Sequence, residues 1–379
     1  MTRRSTRDAQ TAVTKTIDMQ DRIKFLRDDL THLFDDQGID QSAYDDKVSF
    51  EDPITKYSSV QGYVFNIKLL RRVFAPTFQL HDIKQTAPHE LTTRWTMSMQ
   101  LTFNKYNPLR GWWDPQLLFT GTSIMGINPS TGRFNSHVDT WDAVNNQKYV
   151  SLEAVRHLLG QLLTFSQAPK LDTPSYTVLK RPSGYEVRKY SDFVVAEIQM
   201  DQASSAGRQA ATEQPPNRDS SSNSNSNSSS TSSSGEGKSA FMTLAGYIFG
   251  KNDRQEKMAM TMPVFSDSSG RMQFFMGTGK DTSSLPAPLD DAVRCIHMPG
   301  GIYAVRSFSG MAGEKQAQEQ LRSLQVAMAR DDLQAAANNW TLARYNDPST
   351  KGPFRRNEVL VSVTNFDLWG QGVTKALSN

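Results

Sequence analysis

The chain has 379 residues, of which 37% are hydrophobic, so it is long enough for two ordinary domains that each bury a core. Lysine and arginine (42) nearly balance aspartate and glutamate (39), and a net charge of +3 does not favour a nucleic-acid-binding protein. The single cysteine, Cys295, excludes an internal disulfide, and no apolar run reaches the ~20 residues that form a transmembrane helix.

The first residues are rich in Arg, Ser and Thr, and the first acidic residue is Asp8. This composition is similar to the end of an organelle transit peptide, and it has no apolar h-region that would favour secretion. We therefore expect residues 1–17 to be a disordered, transit-like extension.

Residues 18–167 have the pattern of an α+β domain. Apolar residues recur at helical spacing from Ile23 to Phe34, and Gly38 stands where a glycine would end that helix. A second amphipathic run ends near Pro76. Clusters of turn-forming residues then separate predicted strands at 80–84, 91–103, 117–127 and 133–142.

Polar residues on the last of these strands are candidates for a catalytic site. His137 and Asp139 alternate along the strand and share a face, so an imidazole beside a carboxylate could act as a general base there. The other interpretation is a structural polar cluster near the strand end. Asp52, before the breaker Pro53, is a further candidate.

Several segments of this domain resemble a known family. They are Phe25-Leu26-Arg27-Asp28-Asp29-Leu30, Val48-Ser49-Phe50-Glu51-Asp52-Pro53, Thr93-Arg94-Trp95 and His137-Val138-Asp139-Thr140-Trp141-Asp142. Together they are similar to an uncharacterised domain of plants and cyanobacteria. The resemblance implies an NTF2-like α+β cone and brings no agreed activity.

Residues 168–174 have the composition of an extended linker, and an internal repeat follows it over 175–366. Tyr185–Tyr190 matches Tyr303–Phe308, and each copy continues into a helical segment, at 240–250 and at 312–328. We expect two similar halves to form one curved sheet that carries two helices around a pseudo-twofold axis.

The first copy contains a Ser/Asn-rich tract at 203–238 that the second copy lacks. Ordering such a tract would cost ~1–2 kcal/mol per residue with almost no apolar side chains to bury in return. We therefore interpret it as a disordered insertion, and residues 367–379 as a C-terminal tail.

Methionines alternate in the stretch Lys257–Phe265. If that stretch is a strand, Met258, Met260 and Met262 lie on one face until Pro263 ends the pairing. Because methionine side chains adapt to flat apolar partners, such a face suits a pocket for a large planar ligand. The alternative is that the stripe belongs to the core.

The motifs of the second domain resemble the SOUL haem-binding family. They are Tyr185-Glu186-Val187-Arg188-Lys189-Tyr190, Lys257-Met258-Ala259-Met260-Thr261-Met262-Pro263-Val264, Tyr303-Ala304-Val305-Arg306-Ser307-Phe308 and Tyr345-Asn346-Asp347-Pro348. The resemblance implies a distorted antiparallel β-barrel with two helices. It also implies non-covalent binding of haem or a related tetrapyrrole, for carriage, buffering or sensing and without catalysis.

A tetrapyrrole needs an apolar slot and cations for its propionates. The candidate binding residues are Met258, Met260, Met262, Phe275, Tyr303, Phe308, Arg188, Lys257 and Arg306. We predict no protein ligand to the iron, because His297 precedes the turn Pro299-Gly300-Gly301, where side chains are usually exposed.

Two other functional hypotheses stay open. The first domain could be a lyase- or isomerase-type enzyme around Asp52, His137 and Asp139, with the second domain as a regulatory sensor. Alternatively, the chain could be an interaction protein of plastid lipid bodies. Fusions of these two domains resemble plastid proteins, so we expect a chloroplast location, in the stroma or on lipid bodies, with the cytoplasm as the alternative.

Overall fold

The computed structural model describes residues 17–101, 115–145, 147, 151–164, 169–200 and 232–370, with side chains described from residue 237 in the last range. The predicted extension at 1–17 lies outside the described residues except for Ile17, as do most of the insertion and the tail beyond residue 370. The chain divides into two compact units between Leu163 and Thr164.

The first unit contains three α-helices and six strands among the described residues. They are α1 (Met19–Asp29), β1 (Tyr44–Glu51), β2 (Lys56–Tyr57), α2 (Val60–Val73), β3 (Phe74–Ala87), β4 (Glu90–Leu101), β5 (Gln116–Ile127), β6 (Phe134–Trp141) and α3 (Leu152–Leu162). A side-chain oxygen caps the N-terminus of each helix, from Asp18, Ser59 and Ser151 in turn.

The six strands form one sheet in the order β2-β1-β6-β5-β4-β3. Only β1 and β6 are parallel among the described pairs, and the others are antiparallel. β3 is longer than predicted, because Pro76 does not end an element but pairs with Met99 within the sheet. Helices α1 and α2 pack on this sheet through Leu26, Tyr63 and Ile67, and the α+β class is confirmed.

The second unit contains nine strands and two α-helices among its described residues. They are β7 (Tyr176–Lys180), β8 (Glu186–Tyr190), β9 (Phe193–Gln199), α4 (Ser232–Ile248), β10 (Val264–Asp267), β11 (Arg271–Thr278), β12 (Val293–Met298), β13 (Gly301–Phe308), α5 (Glu314–Arg330), β14 (Ala335–Arg344) and β15 (Asn357–Val363). Helix α4 begins at Ser232, within the predicted insertion. The weak helix propensity of Ser and Gly conceals this start in the sequence.

The sheet of the second unit has the order β12-β9-β11-β10-β14-β15-β13-β8-β7. Apart from β7, this order is symmetric about the β10–β14 pair, so β9-α4-β10-β11 is repeated as β13-α5-β14-β15. The antiparallel sheet and its internal repeat are therefore confirmed. The described pairings leave β12 and β7 as edges, so closure into a barrel stays a prediction.

The strand equivalence predicted from sequence is wrong. Tyr185–Tyr190 and Tyr303–Phe308 are not equivalent, because β8 and β13 are direct antiparallel neighbours, with Val187 opposite Ala304. The equivalent of β13 is β9. Two neighbouring strands that bury the same two faces share a period-two pattern, and this makes them look like copies in the sequence.

The two faces of this sheet bury different clusters. On β11, Met272, Phe274 and Met276 pack beneath α4, whereas Phe275 points to the opposite face. On β15, Val359 and Val361 pack beneath α5, and Leu360 joins Phe275 on the opposite face. The core of the unit is therefore one cluster beneath each helix and a third cluster across the sheet.

The methionine-rich stretch is not a strand before Val264. Its first half turns back onto the end of α4, where the Met258 amide donates to the Ile248 carbonyl at 2.9 Å. Asn252, which is fully buried, holds this turn, because its side chain donates to the Glu256 carbonyl at 2.8 Å and accepts from the Glu256 amide at 2.9 Å. These local bonds override the period-two pattern.

Candidate functional site

The structure separates the three methionines that were predicted to share a face. Met258 packs partly buried beneath α4, Met260 is 50% exposed, and Met262 is buried in the third cluster. Phe275 and Tyr303 lie with Met262 in that cluster, whereas Phe308 packs beneath α5. These side chains therefore do not line one slot.

Two of the three predicted propionate-binding cations are already engaged. Arg188 is 1% exposed and forms two bonds of 2.9 Å with the Glu358 carboxylate. Arg306 donates to Gln320 Oε1 at 2.9 Å and to the Gly184 carbonyl at 2.7 Å. Lys257 is exposed and has no ion-pair partner within the described residues.

Arg188 belongs to a buried ion cluster around Glu358, which is 0% exposed. The Glu358 carboxylate also accepts hydrogen bonds from Arg356 at 2.7 Å, Tyr345 at 2.7 Å and Ser307 at 3.0 Å. Burial alone would raise the pKa of Glu358, but the charges of Arg188 and Arg356 outweigh it and hold that pKa well below its usual range. The cluster joins β8, β13 and β15 and acts as a structural centre.

An exposed apolar stripe runs along α4 instead. Met242 is 62% exposed and Phe249 is 56% exposed, and Gly246 lies between them at the i, i+4, i+7 spacing of one helix face. The Phe249 amide still bonds the Ala245 carbonyl at 2.9 Å, which keeps Phe249 on the helical spiral. The spacing of residues 242, 246 and 249 is visible in the sequence, but the spacing alone does not show which face of the helix is exposed.

Lysines flank this stripe. A Cβ atom added to Gly246 would lie 3.0 Å from Cδ of Lys251, so the aliphatic stem of Lys251 crosses the helix face at the glycine. Lys257 and Met260 follow on the segment that turns back onto the helix end. We call this set the α4 surface: Met242, Gly246, Phe249, Lys251, Lys257 and Met260.

The described second unit also contains His297 and Cys295, which were not predicted to bind the ligand. The His297 side chain is 53% exposed, with Asp192 at 3.6 Å, as its position before a turn predicted. The Cys295 thiol lies 3.3 Å from the Tyr247 hydroxyl, and burial raises the pKa of this thiol. Neither residue belongs to the α4 surface. No group of three or more potential metal ligands occurs in the described part of the chain.

The first unit contains a pocket beside α2, with about 560 Å³ of empty space including its open mouth. Asp52, His137 and Asp139 all line it, which is the convergence that the enzyme hypothesis predicted. His137 Nε2 lies 2.8 Å from Asp139 Oδ1. Sequence reasoning missed Tyr63, Asn66 and Ser123, which line the same pocket.

Asp52 has mainly a structural part in this pocket. Its carboxylate accepts hydrogen bonds from the Ile54 amide at 2.7 Å and from the Thr55 hydroxyl at 2.7 Å, and so closes the turn after β1. Burial raises the pKa of Asp52, although these hydrogen bonds act to lower it. An activity of the first unit stays a prediction.

Comparisons with known proteins assign the first unit to no characterised activity. Residues 20–137 match the profile of an uncharacterised conserved protein family, DUF2358. Among solved structures, an NTF2-like protein of unknown function from Exiguobacterium sp. 255-15 is 14% identical and has a TM-score of 0.25; the match covers 34% of this chain and all of that chain. A SnoaL-like polyketide cyclase, so described provisionally, from Shewanella denitrificans OS-217 is 15% identical and has a TM-score of 0.28, over 38% of this chain and 95% of that chain. At such scores neither likeness supports a function.

The second unit is similar to haem-binding proteins. Human heme-binding protein 2 is 30% identical over an alignment of 132 residues, and the alignment covers 32% of this chain and 63% of that protein. No described helix is long and apolar enough to cross a membrane. Residues 171–362, just over half of the chain, match the profile of the SOUL heme-binding protein family. The chain therefore belongs to the SOUL family, and its second unit is the SOUL domain.

Proposed function

We propose that the second unit binds haem or a related tetrapyrrole non-covalently on the α4 surface. The exposed stripe of Met242 and Phe249, flanked by two lysines without ion-pair partners in the described structure, carries this proposal, together with membership of the SOUL family. A tetrapyrrole combines a flat apolar macrocycle with anionic propionates. The stripe suits the macrocycle, and the lysine ammonium groups suit the propionates.

Gly246 gives the α4 surface a shape that favours a flat ligand. Without a side chain at this position, the helix backbone is open between the side chains of Met242 and Phe249. The stem of Lys251 covers the gap and can swing aside, because it is the end of a flexible side chain. A ring system laid there would bury the apolar area that the free protein exposes.

The α4 surface contains neither His297 nor Cys295, and the proposed binding there uses apolar contact and charge pairing. Such binding is reversible, and a micromolar dissociation constant corresponds to about −8.2 kcal/mol. Reversible binding on an exposed surface suits a carrier, a buffer or a sensor better than a catalyst with a fixed cofactor. A plastid location and a plastid protein or lipid-body surface as partner belong to the same proposal, and the resemblance to plastid fusion proteins supports them.

A Soret-region titration of the full chain with haem tests the position of the site. We expect Lys251→Glu combined with Lys257→Glu to weaken haem binding at least tenfold, because two attractive charges become repulsive. The matched control is Lys315→Glu combined with Arg322→Glu on α5, where both side chains are exposed. If the α4 variant binds as the wild type does, or the α5 control loses as much affinity, the proposal is wrong.

A further inference from the structure

The pocket of the first unit contains polar groups that have no partner within the described residues. Tyr63 is 2% exposed and Asn66 is 7% exposed, yet neither the Tyr63 hydroxyl nor the Asn66 carboxamide forms a hydrogen bond there. Neither group is among the fully buried side-chain atoms that lack a partner in the described structure, so both groups reach the open space of the pocket, where a ligand can bond them. Both residues lie on α2 at i, i+3 spacing, so they face the pocket from the same side.

A chain of hydrogen bonds fixes a third polar group opposite α2. The Trp95 indole donates to Ser123 Oγ at 2.8 Å, and Ser123 Oγ donates to Asp139 Oδ1 at 2.6 Å. His137 Nε2 bonds the same oxygen at 2.8 Å. These contacts occupy Asp139 Oδ1 and orient the carboxylate, while Asp139 Oδ2 accepts no hydrogen bond from the described residues.

Packing holds His137 and brings Tyr63 close to Asp139. The His137 ring lies edge-on against Phe50 at 5.0 Å and against Tyr63 at 5.2 Å, and its Nδ1 atom is buried without a partner in the described structure. Since His137 bonds Asp139 and contacts Tyr63, the phenol and the carboxylate face one small volume. Burial raises the pKa of Tyr63 well above its ordinary value, so its hydroxyl remains a donor at neutral pH.

The other lining residues determine which ligand charge and which hydrocarbon part the pocket can accept. Most of it is aliphatic or aromatic, including Phe34, Phe78, Leu70 and Trp141. The carboxylic acids of Asp52 and Asp139 line the pocket, and no lysine or arginine occurs among the described lining residues. An anionic ligand would therefore meet carboxylates in an apolar setting without a lysine or arginine to balance its charge.

We propose that this pocket binds a neutral, mainly apolar alcohol. Its hydroxyl donates to Asp139 Oδ2 and accepts from the Tyr63 hydroxyl, while its hydrocarbon body contacts the aromatic wall. This site is separate from tetrapyrrole binding by the second unit, and it would reject propionate-bearing ligands for the reason just given.

Nuclear magnetic resonance of the full chain with ¹⁵N-labelled indoles tests the proposal, because Trp95 and Trp141 line the pocket. The probes are cyclohexylmethanol and cyclohexanecarboxylate, which share one hydrocarbon body. We expect the alcohol to shift both indole signals saturably, and the carboxylate to bind at least tenfold more weakly at pH 7. Equal binding of the two probes, or no shift of these signals with the alcohol, would overturn the proposal.

Variants locate the polar contact. Tyr63→Phe keeps the ring that packs on Phe50 and His137, and should weaken alcohol binding about fivefold. Tyr57→Phe removes the same hydroxyl from a residue outside the pocket lining and should change nothing. Asp139→Asn should reduce the ratio between the affinity for the alcohol and the affinity for the carboxylate. If it does not fold, Tyr63→Phe decides alone: wild-type alcohol affinity in a folded Tyr63→Phe protein contradicts the proposed contact.

Discussion

The ion cluster around Glu358 makes a sharp prediction about the stability of the second unit. Glu358→Gln keeps the shape of the side chain but removes the charge that Arg188 and Arg356 share. Removing one member of a buried ion pair typically costs 3–5 kcal/mol, because the remaining charge stays buried without compensation. Arg188 also donates to the Glu186 carboxylate at 2.7 Å, and this partner remains in the variant. We therefore expect a loss at the lower end of that range, about 3 kcal/mol.

The same cluster predicts how stability changes with pH. The pKa of Glu358 is lower in the folded protein than in the unfolded chain, where it is about 4.3. Its stabilising contribution is therefore fully present above pH 4.3 and is lost as the pH falls through the folded pKa. Between pH 5 and pH 3 the wild-type second unit should lose stability, and the Glu358→Gln variant should lose less over the same interval.

Hydrogen exchange followed by mass spectrometry measures this effect in the full chain, because peptides from β8, β13 and β15 report the second unit separately. Glu319→Gln is the control, since it is the same substitution on an exposed residue of α5 and should change stability by less than about 0.5 kcal/mol. If Glu358→Gln costs less than about 1 kcal/mol at pH 7, the cluster does not hold the three strands together.

Three further predictions concern other parts of the chain. Gly121→Ala should destabilise the first unit by ~1–3 kcal/mol in thermal unfolding, because its Cβ would lie 2.0 Å from the Thr140 carbonyl oxygen. Gly160→Ala should be neutral or slightly stabilising, because no atom of the described residues would lie within 4 Å of its Cβ. Iodoacetamide at pH 8 should alkylate Cys295 at least tenfold more slowly in the native protein than in denaturant, since burial raises its pKa; equal rates would contradict this. His297→Ala should change haem affinity less than tenfold (~1.4 kcal/mol), and the affinity for metal-free porphyrin should lie within tenfold of that for haem. Loss of a low-spin haem spectrum in a folded His297→Ala variant would instead identify His297 as an iron ligand.

Much of this fold is predictable because period and turn chemistry are local. The amphipathic run before Pro76 predicts α2, and the exposure of His297 follows from the glycine-rich turn that comes after it. The pairing of His137 with Asp139 could be proposed because residues of one face of β6 alternate in the sequence, and Asp52 could be proposed because it precedes the breaker Pro53.

The rest depends on contacts between distant parts of the chain. Nothing near Arg188 in the sequence shows that Glu358, 170 residues later, neutralises it, so a buried arginine was predicted as a ligand-binding cation. The prediction that the three methionines share one strand face is wrong for a different reason. Asn252 bonds the backbone of Glu256 and turns Met258 and Met260 away from the strand that their alternation predicts.

The most direct test of tetrapyrrole binding by the second unit is hydrogen exchange of the full chain with and without equimolar haem, at micromolar concentration. Binding on the α4 surface predicts slower exchange in peptides that cover residues 242–260, with no change in peptides from α5 or from the first unit. Unchanged exchange throughout the chain, or protection confined to α5 or the first unit, would contradict the proposed site.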